Sequence, residues 1–388
     1  MSKIKIAHIL HSVGGVDVSL RQILQNINVS EFESIVLHGE SDTQVLFRDK
    51  NFEPVKEFKL PIHREISIQK DFLATIRALK IIRKERPDLI HSHSTKGGVI
   101  ARVIGFLTGI KVLHTPQAFS YLCTDKKIRR TAFLFIEKLL SKGNSVLLAS
   151  SESELKRGID EVGYPKSKTA LFNNAIAPIE KVFTLSIPKT WPDKYLCSVG
   201  RPCYQKNTEE LIRVLYEVNK TEDVHLVLVG VGHHADQLEI VKDLVLKLNL
   251  KDKITILNWT SREDVLHITS KSKLYVSTSR YEGLPYAIIE SLALSIPNVV
   301  SDCDGNRDLI KDNFNGFCIK NNDTKEFSQR IIKLLREEHL YNEFSRNAKK
   351  TFFIDHNINE KIKDLELIYR EELRSYRNNL IYNIFRII

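Results

Sequence analysis

The chain has 388 residues, of which 42% are hydrophobic and 27% charged, and its formal net charge is +10. That length suits two or three packed domains, and the composition excludes a disordered or collagen-like chain. Five scattered cysteines without a Cys-x-x-Cys pair exclude a disulfide-built scaffold or a zinc ribbon and fit a reducing compartment.

The charge is uneven. Residues 1–175 hold 27 Lys and Arg against 18 Asp and Glu, a net +9, and no acidic residue occurs from His91 to Ser120. Such a half attracts anions, whether nucleic acid, acidic lipid headgroups or phosphorylated substrates, or it is simply a solvated basic face. The first ten residues carry too short an apolar run for a signal peptide, and no stretch reaches the roughly 20 apolar residues that span a bilayer. The expected location is cytoplasmic, with a peripheral position on the cytoplasmic membrane face as an option.

In chain order, residues 3–10 read as a strand, followed by a turn at Gly14-Gly15 and a helix from Asp17. Further strands are expected at 34–38, 89–92, 111–114, 146–149 and 169–172, with helical patterns clearest at 69–85 and 128–140. Residues 177–193 contain Pro178, Pro188 and Pro192 without a sustained period and read as a linker. Alternation resumes with strands at 195–199, 224–229, 253–257, 274–277 and 298–301 and helices at 207–218, 235–248, 262–269 and 286–293. Residues 324–386 are largely helical. Strand–helix alternation predicts parallel sheets covered on both faces, hence α/β architecture with two doubly wound, Rossmann-like domains. The expected organisation is residues 1–176, a linker at 177–194, a second domain at 195–360, and a terminal helix at 361–388 that packs back on the first domain.

Ligands of open α/β sheets bind beyond the carboxyl ends of strands, so residues just after strands matter most. After the strand ending near Ser279 comes Arg280-Tyr281-Glu282-Gly283-Leu284-Pro285, and Glu290 follows on the next helix. Pro285 suits the first helical position, and a glycine before a helix start offers amide N–H groups to a phosphate. Glu290, about a turn and a half into the helix, can accept two hydrogen bonds from a ribose diol, and Glu282 can hold hydroxyls beyond the phosphates. Standing alone, two such glutamates read equally well as solvated surface residues. After the strand ending at Val199 comes Gly200-Arg201, with Lys206 five residues on. Arg201 and Lys206 can meet a diphosphate and stabilise the negative charge that grows on it as a sugar–phosphate bond breaks. Both motifs lie at strand ends of one expected sheet and point to the same ligand.

The set Gly-Arg-x4-Lys plus Glu-Gly-Leu-Pro-x4-Glu resembles the retaining GT-B glycosyltransferases of family 4, and the likeness runs over nearly the whole chain. Gly14-Gly15, the stretches 91–98 and 113–119, Asn174-Ala175-Ile176 and the Gly305–Asp308 loop resemble that family's first-domain loops, linker entry and sugar-side loop. The resemblance implies a GT-B fold with the two domains facing across a cleft. It implies that Arg201, Lys206 and Glu282 serve the reaction. Gly200, Asn258, Trp259, Gly283, Leu284, Pro285 and Glu290 would complete the donor site, with Asn258 and Trp259 beside the base. Gly14, Gly15, Lys96 and Gln117 would lie on the acceptor or sugar side. The implied donor is a UDP-sugar carrying a hexose or N-acetylhexosamine, the implied acceptor a glycan on a lipid carrier for surface polysaccharide, and no metal or other cofactor is required. Asp302-Cys303-Asp304 has the spacing of a metal-binding pair but reads as structural. Gln117 stands where the family often has His. Glutamine can bond a sugar hydroxyl but cannot act as a base, and the family's same-face mechanism, in which the leaving phosphate takes the acceptor's proton, needs none. His114, in an apolar strand, reads as a core histidine.

The run Lys126-Lys127-Ile128-Arg129-Arg130 precedes an apolar stretch at 131–140 and reads either as a basic-fronted amphipathic helix for an anionic bilayer surface or as an ordinary packing helix. The apolar end, residues 380–388, leaves three roles open: docking on the first domain, membrane contact or self-association. Rival functions are a nucleotide-sugar epimerase-like enzyme on the same fold and a basic nucleic-acid binder. The second lacks interleaved aromatic and basic residues. A dehydrogenase is disfavoured because no Gly-x-Gly-x-x-Gly follows the first strand.

Overall fold

The computed structural model describes residues 3–63, 65, 67–232, 235–320 and 323–387, with side chains through Tyr376. The chain divides into two compact units, Met1–Ala175 with Ile358–Ile388, and Ile176–Asn357.

The first unit contains β1 (Ile4–Ile9), α1 (Gly15–Leu24), β2 (Phe32–Gly39), β3 (Lys56–Leu60), α2 (Ile68–Glu85), β4 (Leu89–His93) and α3 (Ser94–Thr108). It continues with β5 (Lys111–Thr115), α4 (Lys127–Ser141), β6 (Ser145–Ala149), α5 (Glu152–Arg157) and β7 (Thr169–Leu171). The strands form one parallel sheet in the order β3-β2-β1-β4-β5-β6-β7. Apolar strand residues are buried on both faces, as a parallel sheet covered by helices requires. Ala74, Ala78, Ile100 and Ile104 from α2 and α3 cover one face.

The second unit contains β8 (Tyr195–Val199), α6 (Thr208–Val218), β9 (His225–Val231), α7 (Leu238–Lys247), β10 (Ile254–Asn258), α8 (Arg262–Lys271) and β11 (Leu274–Ser277). Then follow α9 (Tyr286–Ala293), β12 (Asn298–Ser301), α10 (Asn306–Leu309), β13 (Gly316–Ile319), α11 (Thr324–Arg336) and α12 (Glu338–Thr351). Its parallel sheet runs β10-β9-β8-β11-β12-β13. The last helix, α13 (Ile358–Ile387), belongs to the first unit. Its Ile358, Ile362, Leu365 and Tyr369 pack with Ile23 and Ile27 against the other face of the first sheet. The side chains of residues 377–388, including the apolar end, lie outside the described residues.

Several elements differ from expectation. The helix expected from Asp17 starts at Gly15, because Gly14 turns the chain at φ +61°. Residues 91–98, read as a loop, instead finish β4 and open α3, so Lys96, Gly97 and Gly98 are helical. A Cβ on Gly97 would lie 2.4 Å from the Ile9 carbonyl oxygen, so glycine here lets helix and strand approach closely. The strand β3, Lys-Glu-Phe-Lys-Leu, escapes a hydrophobic reading because it is a charged edge strand. Pro285 sits at the N-cap of α9 with ψ 120°, one residue before the first helical position. The linker packs with the second unit: Trp191 joins its core, and Asp264 accepts from both Ser186 N–H and Oγ–H, at 2.7 and 2.6 Å. Among the described residues no helix is long and apolar enough to cross a membrane.

Candidate active site

In the second sheet the chain builds outward from β8 in one direction through β9 and β10, and in the other through β11, β12 and β13. The reversal between β8 and β11 leaves a crevice at their carboxyl ends, the general ligand position of such sheets. Both sequence motifs occupy that reversal.

Gly200 leaves β8 at φ +151°, and a Cβ there would lie 2.9 Å from Lys206 Cε, so the bare backbone lets the lysine stem lie across it. The turn ends at Asn207, in the left-handed region at φ 50°. The loop after β11 is stitched to this turn: Thr278 Oγ1 donates to the Asn207 carbonyl at 3.0 Å and Arg280 N–H to the Gln205 carbonyl at 2.8 Å. Gln205 Nε2 donates to Glu282 Oε2 at 3.0 Å, and Lys206 Nζ lies 2.7 Å from Glu282 Oε1. Glu282 is buried, while a quarter of the lysine side chain stays exposed. Arg201, half-buried, emerges from the same turn, and its Nε has no hydrogen-bond partner.

Gly283 and Leu284 lead into α9, both buried, with Pro285 at the cap. Glu290, the fifth residue of α9, is 7% exposed. Its Oε1 lies 2.9 Å from Nε of Arg262, the first residue of α8. Burial pushes the Glu290 carboxyl above its ordinary range, and the Arg262 guanidinium pulls it back toward ionisation. The sequence reading missed Arg262. A signal was present: a cation in the first turn of a helix opposes the helix dipole and needs a partner elsewhere.

The loop after β12 closes the other side. A Cβ on Gly305 (φ +77°) would lie 2.6 Å from the Gly283 carbonyl oxygen and 2.9 Å from Glu282 Cβ, so this loop rests on the Glu282 turn. Asp302 and Asp304 are both engaged by Arg307, each at 2.6 Å, so the guanidinium occupies a carboxylate oxygen of each, in keeping with a structural part. Asn258 and Trp259 stand apart, exposed at the end of the edge strand β10. Trp259 packs over Gly232, and its backbone N–H donates to the Val231 carbonyl at 2.8 Å. The structure therefore brings Gly200, Arg201, Lys206, Glu282, Gly283, Leu284, Pro285 and Glu290 to one switch point. Asn258 and Trp259 share its sheet edge two strands away.

The first sheet reverses between β1 and β4. Gly14 and Gly15 follow β1, Lys96 opens the helix after β4, and Gln117 follows β5, all at carboxyl ends. Lys96 Nζ is 2.9 Å from Asp71 Oδ1. Gln117 and Ala118 hold φ of 52° and 76°, and the Gln117 Nε2 is buried without a partner. Left-handed non-glycine residues cost energy and cluster at functional loops. Also beside Gly14, and missed from sequence, His11 Nδ1 lies 2.7 Å from Asp42 Oδ1. Burial pushes the Asp42 carboxyl up, but His11 and the N–H groups of Ser12 and Gly39 outweigh it and hold the group below its usual range.

Five histidines lie buried in this sheet: His8, His38, His91, His93 and His114. Among the described residues, His8, His91 and His93 are the one cluster with metal-ligand spacing. His91 is already bonded by Tyr369 Oη at 2.7 Å and Thr115 Oγ1 at 3.0 Å, while His8 Nδ1 and His93 Nε2 bond each other at 3.1 Å. They are core histidines, kept neutral by burial.

Residues 13–178 match the Glycosyltransferase Family 4 domain and residues 186–351 the Glycosyl transferases group 1 domain. The chain is 29% identical over 387 residues to an Escherichia coli UDP-Gal:alpha-D-GlcNAc-diphosphoundecaprenol alpha-1,3-galactosyltransferase, covering 94% of this chain and 97% of that protein. It is 27% identical over 311 residues to a Campylobacter jejuni alpha-1,4-N-acetyl-D-galactosaminyltransferase acting on an undecaprenol-linked saccharide, covering 78% and 80%. In fold it is similar to a sucrose-phosphate synthase from Thermosynechococcus elongatus, with TM-score 0.80, 17% identity and coverage of 96% and 100%. It is also similar to Anabaena HepE crystallised with UDP and glucose, with TM-score 0.76, 16% identity and coverage of 95% and 100%. With its two domain matches spanning most of its length and both sheets reversing beside the motif residues, the chain belongs to the family 4 glycosyltransferases and has the GT-B fold of two Rossmann-like domains.

Proposed function

We propose that this enzyme transfers a hexosyl or N-acetylhexosaminyl group from a UDP-sugar, with retention at the anomeric carbon, to a polyprenyl-diphosphate-linked saccharide that becomes surface polysaccharide. The observation that carries the reading is the pairing of Lys206 with Glu282 at 2.7 Å, beside Arg201 and within the same reversal as Glu290. A donor diphosphate would exchange for the glutamate as the partner of Lys206 and would take the free Nε of Arg201. Glu290, paired with Arg262, would accept from the ribose hydroxyls. The two cations would offset charge on the departing UDP, so metal would not be needed for that step. Glu282, released from the lysine, would turn to the sugar hydroxyls. Gln117, with its unpartnered buried amide, would donate to the transferred sugar or the acceptor. The two undecaprenol-linked relatives support a lipid-linked acceptor and favour UDP-galactose and UDP-N-acetylgalactosamine as the first donors to assay.

The test has two stages. UDP, GDP and ADP are compared as stabilisers of the folded chain, since a ligand that binds only the native state raises its melting temperature. UDP is expected to stabilise most. Each UDP-sugar is then incubated with and without N-acetylglucosaminyl-diphospho-lipid. Acceptor-dependent release of UDP with an α-linked product supports the reading. Equal donor conversion without acceptor points to epimerase-like chemistry and overturns it.

A further inference from the structure

A helix on a soluble protein normally turns its apolar stripe inward and its polar residues to water. The helix α4 packs Phe133 and Leu134 inward but keeps a second apolar stripe on its outside. Ile128, Ala132, Phe135 and Leu139 recur at steps of four, three and four, which places them on one stripe, and all four are exposed. The three large ones are 87%, 66% and 59% exposed respectively. The opposite side carries Glu137, buried and ion-paired to Arg102 Nη1 at 2.7 Å. The inward side of α4 therefore holds its only acidic residue beside Phe133 and Leu134, while the outward side keeps a separate apolar stripe.

Cations flank the stripe. At 100° per residue, Lys127 and Lys138 fall on one border and Arg129 on the other, and all three are exposed. Lys142, at the C-cap, extends the first border. No acidic side chain of α4 reaches this surface to balance them. The end of α3 lies beside the end of α4. Asn144, just past α4, donates from Nδ2 to the Gly109 carbonyl at 3.0 Å, and the last turn of α3 presents exposed Phe106 and Leu107.

We propose that α4 and the end of α3 form a docking surface for an anionic lipid bilayer. The apolar stripe would enter the headgroup–acyl boundary and the flanking lysines and arginine would meet the acidic headgroups. Charge decides between this occupant and a second copy of the chain. A twofold contact through this stripe would set the same cationic borders against each other, whereas acidic headgroups neutralise them. The proposal stands apart from the donor site: it concerns a surface of the first unit and no residue assigned to catalysis.

The experiment is flotation of the purified full chain with extruded vesicles, without any nucleotide sugar, so its outcome is independent of the activity assay. Binding is expected to vesicles of phosphatidylcholine with phosphatidylglycerol, and far less to phosphatidylcholine alone. Since each cation near an anionic surface improves partitioning roughly fivefold, reversing Lys127, Arg129 and Lys138 to Glu should weaken it by about a hundredfold or more. Replacing Ile128, Phe135 and Leu139 by Ser should weaken it by at least about tenfold through lost apolar burial. All six side chains face water, so near-ultraviolet circular dichroism and melting temperature should match the wild type, separating lost binding from lost folding. Equal flotation with and without phosphatidylglycerol, or a serine variant that floats like the wild type, overturns the proposal. So does a wild-type dimer that the serine variant dissolves without change in lipid binding, because then the occupant is a second copy.

Discussion

Lys206 Nζ lies 2.7 Å from Glu282 Oε1, across the two loops that meet where the second sheet reverses. Each side chain is the other's counter-ion, so a bound diphosphate would compete with Glu282 for the lysine. Lys206→Ala removes the cation and leaves a buried carboxylate. Steady-state assays should show kcat lowered by about 100- to 1,000-fold, the usual range for removing one group that stabilises developing negative charge. Glu282→Gln should leave UDP binding equal or tighter while lowering kcat, because it frees the lysine yet removes a partner of the sugar. Isothermal titration with UDP separates the two. Weaker UDP binding by the Gln variant would argue against the exchange.

The Arg262–Glu290 pair makes a prediction about pH. Burial raises the Glu290 carboxyl and Arg262 lowers it, so Arg262→Ala should raise it further. A protonated Glu290 has lost much of its capacity to accept from a diol. As pH decreases, UDP affinity of the variant should therefore begin to fall at a higher pH than that of the wild type. Glu290→Gln should bind UDP roughly tenfold or more weakly at every pH in the range, the scale of a hydrogen bond to a charged group. Identical pH profiles for wild type and Arg262→Ala would remove Glu290 from the donor site.

Gly305 tests the geometry of the loop contact. Alanine there would place a Cβ 2.6 Å from the Gly283 carbonyl oxygen and demand a positive φ from a residue with a side chain. We expect Gly305→Ala to cost about 1–3 kcal/mol of stability and to raise KM for the donor by shifting the Glu282 turn. Differential scanning calorimetry and donor titration read the two effects. An unchanged KM would mean that the turn is positioned without this loop.

The buried histidines make acid stability predictable. His8 is pushed down to about 3, and His91, His93 and His114 well below their ordinary value, chiefly by burial. Below about pH 6.5 the unfolded chain takes up protons at these sites that the folded chain refuses, so stability falls as pH falls. Each histidine contributes up to about 1.4 kcal/mol per pH unit in that window, fully recovered above it. The melting temperature of the first unit should drop steeply between about pH 7 and pH 5. His114→Asn should reduce that slope even if it lowers stability at neutral pH. A pH-independent melting temperature would show that these rings take up protons as readily in the folded state as in the unfolded one.

The sequence by itself determined that the chain is two α/β sheets joined by a proline-containing linker, because alternating strand and helix periods are local properties of neighbouring residues. It also singled out Gly200, Arg201, Lys206, Glu282 and Glu290, since each stands just after a strand or on the helix that follows, where backbone groups are free for a ligand. The charged strand β3 and the helix over 94–108 were hidden. The first is an edge strand without an apolar alternation, and the second opens with glycines whose reason is a close approach to Ile9 from another strand. Only the tertiary structure decided partners: Arg262 for Glu290, Asp42 for His11, Arg307 for the aspartates, and an outward apolar face on α4. Those facts depend on strand order and helix rotation. Both come from packing among residues far apart in the chain, and no local pattern records them.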